Sequence, residues 1–226
     1  MHIEPGVVDG AKMILSYGTG AGAFGIIGGL AYKSLKEGGN ITSLALRSLA
    51  TTSLVFSFFE VLPHVPVGVS EVHLILGSTL LLLFGAAPAA VGLAAGLLIQ
   101  GLFFAPFDLP QYGINVTTLI VPLLGIHMLA KHLIAPDTPY VDLTYRQALA
   151  LSTSYQGGIV SWVAFWALYG QGFSIENLTA ISTFGASYML VVTVEPLIDL
   201  GVLAVAKTAT KVSRSRLFTA RLMSAA

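Results

Sequence analysis

A chain that opens Met1-His2 offers a metal ion three nitrogens in a row. The Met1 amine and the His2 amide nitrogen close a five-membered ring on a metal. The His2 amide and its own Nδ1 close a six-membered ring. The three nitrogens share a plane, and an imidazole from elsewhere in the chain completes a square. Square-planar nitrogen sets suit Ni(II) and Cu(II), and cobalt is also held by such donors. The ligand nitrogens must shed protons, so affinity falls at low pH. The opening "MHIEPG" lacks the basic and apolar runs of a cleavable export signal, so the expectation is a retained, free Met1 amine.

The imidazole that completes such a set must come from four others. His73, in "SEVHLILGS" (70–78), precedes an apolar run. An ionisable residue at membrane depth is a functional candidate, and a hydrogen bond to a nearby carbonyl is the plain alternative. His64 lies among prolines and reads as solvated. His127 and His132 are five residues apart, share no helical face, and read as interfacial. Among the acids, Glu195 and Asp199 are four apart on one helical face. They read as a helix end where acids meet basic residues, with a cation relay as the sharper reading. Glu60 reads as a hydrated helix end, Arg47 as a snorkelling side chain, and Trp162 and Trp166 as packing or lipid contacts. No His-Glu-x-x-His, Gly-x-Ser-x-Gly or phosphate-binding glycine loop occurs. Any ATP is therefore handled by another chain.

The elements that must position these groups are membrane helices. The 226 residues are 55% hydrophobic and 10% charged, where a soluble domain carries roughly 25% charge. Mean hydropathy is +0.82. There is no cysteine, which excludes thiolate sites and disulfides, and the net charge of zero offers no field for nucleic acid. A bilayer core takes about 20 apolar residues per helix. Candidate spans are 10–33, 41–62, 70–85, 87–105, 114–133, 147–169 and 179–206. The third is short and reads as a partial span or half of a tight hairpin, so the count is seven, or six. The expected fold is an all-α integral membrane protein, one compact bundle in a single domain over 1–226. Residues 1–9 would form an N-terminal segment and 207–226 a basic tail. Gly18/Gly22, Gly25/Gly29 and Gly92/Gly96 stand four apart, the spacing that lets helix backbones approach in lipid, and predict close packing within the bundle.

The positive-inside rule orients the chain. Seven spans with Lys207, Lys211, Arg214, Arg216 and Arg221 in the cytoplasm put the N-terminus outside. Lys33, Lys36, Arg47, Lys131 and Arg146 then also fall inside, so that ten of the eleven basic residues agree and only Lys12 does not. Glu4, Asp9, Glu71, Asp108 and Glu176 lie outside.

"MHI-x-x-G" at the start, "V-H-L-x-x-G" at 72–77, "L-L-I-Q-G-L-F-F" at 97–104 and "Y-G-I-N-V" at 112–116 together resemble one family, in order and approximate spacing. It is the membrane substrate-binding component of cobalt/nickel energy-coupling-factor importers, the CbiM/NikM family. The motifs cover roughly residues 1–130, and hydropathy alone covers the rest. The resemblance implies a seven-helix bundle with the N-terminal segment folded into its outer face. It implies metal ligands at Met1, His2 and His73, with Asn115 fixing the N-terminal loop and Ser70 and Gln100 as further supporting residues. Asp108 matches a family position less tightly. The expected cargo is Co(2+) or Ni(2+), with no organic cofactor. The expected partners are a coupling permease, ATPase subunits and the lipid bilayer of the plasma membrane, leaving room for a small accessory membrane protein. Two stretches depart from the pattern. Glu4-Pro5-Gly6 replaces Pro-Asp-Gly, and Val67-Gly68-Val69-Ser70-Glu71 replaces a Gly-Thr-Ser-rich run. Glu71 is thus an added acid that attracts cations or shifts selectivity. The readings set against transport are an intramembrane enzyme using His73, Glu60 or Glu195, and a passive channel or structural subunit.

Overall fold

The computed structural model describes residues 2–208. Met1 and the tail residues Lys211, Arg214, Arg216 and Arg221 lie outside the described residues. Seven α-helices follow in chain order: α1 (Met13–Lys36), α2 (Ile41–Phe56), α3 (Gly77–Phe84), α4 (Ala86–Phe103), α5 (Tyr112–Leu133), α6 (Tyr145–Gln171) and α7 (Ile175–Thr208). A hairpin of β1 (Val65–Val67) and β2 (Ser70–Val72) stands between α2 and α3. The starts and stops follow local chemistry. Asn40 caps α2 by accepting from the Thr42 and Ser43 amides, and Thr144 and Gln147 form a capping box at α6. Gly172, at φ +72, closes α6 where a side chain would be strained.

Among the described residues, five stretches are long and apolar enough to cross a membrane: Gly10–Lys36, Ile41–Val61, Ala86–Phe103, Pro106–Leu133 and Ile175–Thr208. The 27 residues of α6 suffice by length. The stretch expected as a third span over 70–85 is not one helix. It runs as β2, an extended link over 73–76, and the eight-residue α3. Eight helical residues rise only about 12 Å, against a core of about 30 Å, and the extended link adds roughly 13 Å. This broken segment still carries the chain from one end of the bundle to the other. Gly92 of α4 lies against Thr51 of α2, Gly96 against Val55, and Gln100 against Phe59. So α2 and α4 run parallel, and residues 73–85 supply the return between them. A hydropathy window sees the apolar run but not its backbone.

The glycine pairs divide. A Cβ at Gly92 or Gly96 would collide with α2, which packs most extensively on α4. On α1, no atom lies within 4 Å of where a Cβ would sit at Gly18, Gly22, Gly25 or Gly29. There the close contact is Gly20, whose Cβ would stand 3.1 Å from the Gly113 Cα of α5. Among the described residues, the expected packing role therefore holds for the α4 pair and fails for both α1 pairs. The core runs through α4, α5, α6 and the facing side of α7, with Trp166, Tyr155, Tyr188 and Phe59 among its largest buried side chains.

Candidate metal centre

The N-terminal segment is threaded into one end of the bundle as a third strand. Ile3 bridges Ser70 in antiparallel register. The Glu4 amide donates to the Val69 carbonyl at 3.0 Å, and the Glu71 amide donates to the His2 carbonyl at 2.9 Å. Two side chains complete the fixing. The Ser70 hydroxyl donates to the His2 carbonyl at 2.7 Å, and the Ile3 amide donates to Asn115 Oδ1 at 2.8 Å. Ser70 and Asn115 thus grip the His2–Ile3 peptide, one at its carbonyl and the other at its amide. Gln100 stands further off. Its Nε2 donates to the Phe59 carbonyl at 3.2 Å and to Glu60 Oε2 at 3.3 Å.

Pinned in this way, His2 meets His73. Their ring centroids are 5.2 Å apart, both side chains are buried, and Phe59 packs against each. His2 Nδ1 lies 2.7 Å from Glu71 Oε2, and His73 Nε2 lies 2.8 Å from the same oxygen. His2, Glu71 and His73 offer ligand atoms that all lie within 4.8 Å of one another. The nitrogen that the six-membered chelate ring would use is therefore the one facing this point. Sequence reasoning noticed Glu71 only as an acid near the site. The hairpin register puts it on the same point as both imidazoles, and no spacing rule in the sequence gives that register. His64, read as solvated, is half-buried and stacks on His73 at 5.1 Å with the rings 13° from parallel. Its Nδ1 turns back to the Leu62 carbonyl at 3.3 Å.

The charge sits on the acid. Burial pushes His2 down to about 4, and the Glu71 carboxylate beside it only partly offsets this. Burial alone would raise Glu71, but the hydrogen bonds from His2 and His73 outweigh it and hold the carboxyl well below the usual range. The centre thus sets two imidazoles on one carboxylate, all donor chemistry a divalent transition metal accepts. Beside it is a small cavity lined by His2, Asp108, Leu109, Tyr112 and Asn115. Asp108 Oδ2 and His2 Nε2 are buried with no partner among the described residues.

The remaining polar residues resolve differently. Glu195 and Asp199 do not meet basic residues at a helix end. Both are buried in α7. Glu195 accepts from the Ile75 and Leu76 amides and from Gln156 Nε2, and Asp199 accepts from the Ser78 and Thr79 hydroxyls. The acids expected of an intramembrane enzyme are therefore dispersed: Glu195 on the backbone after His73, Glu60 on Gln100. Trp162 Nε1 donates to Thr117 Oγ1 at 3.2 Å, and Trp166 is core.

A crystal structure described as a truncated transition metal transporter matches with TM-score 0.63 over 91% of this chain and 95% of that one. At 16% identity, this likeness shows the fold. No curated protein matches the chain. The family described as CbiM, cobalt uptake substrate-specific transmembrane region, matches residues 2–212, nearly the whole sequence. With its helices, its broken third pass and its buried histidines accounted for, this chain belongs to the CbiM family of cobalt-uptake membrane components.

Proposed function

We propose that this protein is the substrate-binding membrane component of an ATP-driven energy-coupling-factor importer for cobalt or nickel. The observation that carries the reading is the meeting of His2 Nδ1 and His73 Nε2 on one point, 2.7 and 2.8 Å from Glu71 Oε2. The cargo ion takes these two nitrogens, with the Met1 amine and the His2 amide nitrogen completing a planar set. Glu71 contributes an oxygen at the rim of that set. Four nitrogens lean towards nickel and an added oxygen towards cobalt's higher coordination. The chain has no nucleotide-binding loop, so energy comes from partner ATPases through a coupling permease. Protein purified with a C-terminal tag should elute with cobalt or nickel. Stripped of metal, it should bind one equivalent of Co(II) or Ni(II) at submicromolar concentration and ignore Mg(II) in a calorimetric titration. Failure to bind either transition metal would remove this reading.

The same proposal places the metal centre and N-terminus outside the plasma membrane and the C-terminal tail in the cytoplasm. Sidedness of the basic residues supports it: Lys33, Lys36, Lys131 and Arg146 gather at the end of the bundle opposite His2, where Lys207 reaches the Val141 carbonyl. The chain is free of cysteine, so single cysteines report sidedness. An impermeant thiol reagent on intact cells should label Phe173→Cys, at the His2 end and 79% exposed, and spare Asp137→Cys. Labelling of Asp137→Cys alone would invert the topology.

A further inference from the structure

The broken third pass poses a problem that α7 solves. At membrane depth, non-helical backbone persists only where protein satisfies its amides. The link after His73 is extended, and Leu76 turns left-handed at φ 55, a costly conformation for a residue with a branched side chain. The Ile75 and Leu76 amides point at Glu195, one to each carboxylate oxygen. One turn further along α7, Asp199 takes the Ser78 and Thr79 hydroxyls at the start of α3. Nearer the His2 end, Gly68 of the hairpin abuts the Ala180 carbonyl. Thus α7 lies alongside the ligand-bearing segment from residue 68 to residue 79. Between the two is an apolar cleft of about 360 Å³, bordered by Val72, His73 and Leu74 on one side and Leu190, Val191 and Val194 on the other. Among the described residues, no lysine or arginine pairs with either acid. Both are committed to the segment that carries His73.

We propose that Glu195 and Asp199 are positioning residues that set the metal affinity of the centre from α7. They hold the 75–79 backbone, and through it His73 Nε2, at the point shared with His2. The cleft leaves α7 room to shift against the hairpin, and Pro196 sits within the helix beside Glu195, where a helix bends most readily. A shift of α7 slackens the hold, draws His73 from the shared point and lowers affinity. The end of α7 near Lys207 is at the opposite face, so the device links metal release to events there. This inference rests on the reading of His2, Glu71 and His73 as the cargo site.

Glutamine at 195 tests it. Two amide donors need two acceptors, and the Glu195→Gln side chain has one acceptor and one donor. In full-length protein in lipid nanodiscs, amide exchange over 75–76 should quicken at least about tenfold. Ni(II) affinity should fall about 10- to 100-fold, as for residues that orient a metal ligand, and the visible spectrum of the bound ion should change. Asp199→Asn should do the same to a smaller extent, and stands alone if Glu195→Gln does not fold. Thr51→Val, which removes only a hydroxyl bonded to the Pro88 carbonyl between α2 and α4, should lower thermal stability and leave the affinity and the spectrum of bound Ni(II) unchanged. Wild-type affinity and spectrum in both acid variants, alongside loss of binding in His73→Ala, would overturn the positioning role. The exchange experiment needs no metal, so it reads the clamp even if the wild type binds no Ni(II).

Discussion

His73→Ala should cost at least about 100-fold in Co(II) or Ni(II) affinity, about 2.7 kcal/mol. Titration of stripped, C-terminally tagged protein would measure it. The imidazole is buried, its Nε2 lies on the point His2 faces, and no other described side chain stands ready to replace it. His64 is the nearest alternative, but its Nδ1 is turned to the Leu62 carbonyl and its ring lies flat on His73. His64→Ala should therefore change affinity by less than about threefold, on the scale of a lost exposed contact. His127 lies on α5 beside Lys33 and Lys131, at the opposite end of the bundle, and His127→Ala should leave binding unchanged. A larger loss in His64→Ala than in His73→Ala would mean that the stacked pair exchanges roles and that the fourth ligand has been misassigned.

One residue added before Met1 should be as damaging while leaving the fold intact. The five-membered chelate ring needs an amine directly before the His2 amide, and a peptide bond there replaces a basic donor with a poor one. The expected loss is on the order of a thousandfold, about 4 kcal/mol. Stability should hold, because the segment is fixed by contacts that begin at His2: the Ser70 bond to its carbonyl, the Ile3 bridge and the Asn115 bond. Native and extended protein compared at matched helical signal provide the measurement. Equal affinity in the two would remove the amine from the ligand set while leaving His2 Nδ1 and His73 in it.

How much of this was readable in advance depended on which forces acted locally. The six long helices were legible because each is a largely apolar run of 16 residues or more, and the caps at Asn40 and Thr144 are local hydrogen-bond chemistry. His2 and His73 stood out because a chelating start and a histidine before an apolar run are both visible in the chain itself. Glu71 was only half legible: its acidity shows in the sequence, whereas its aim depends on a hairpin register set by the Gly68 turn. The third pass showed as short and read as a partial span, whereas the place of its break was hidden, because Leu76 takes its left-handed turn with no glycine to announce it. Glu195 and Asp199 were misread for a related reason. Four-residue spacing places them on one face of α7, but only the broken segment opposite explains what that face is for. The glycine pairs show the same limit. Spacing is identical in α1 and α4, yet the face of α4 is covered by α2 while no described residue covers that of α1.

The shared oxygen of Glu71 also bears on what the two histidines would give up to hold an ion. An ionised carboxylate only accepts hydrogen bonds, so His2 carries its proton on Nδ1 and His73 carries its own on Nε2. Those are the two nitrogens a metal must take. An ion held on those two nitrogens would leave each ring with its proton on the other nitrogen and would cost Glu71 both hydrogen bonds. The receiving atoms, His2 Nε2 and His73 Nδ1, are buried and unpartnered among the described residues. Only the first borders a cavity with a free carboxylate oxygen, that of Asp108. His2 thus has a built destination for its relocated proton and His73 has none. Asp108 would therefore favour the metal-ready tautomer of His2, and no described residue does the same for His73.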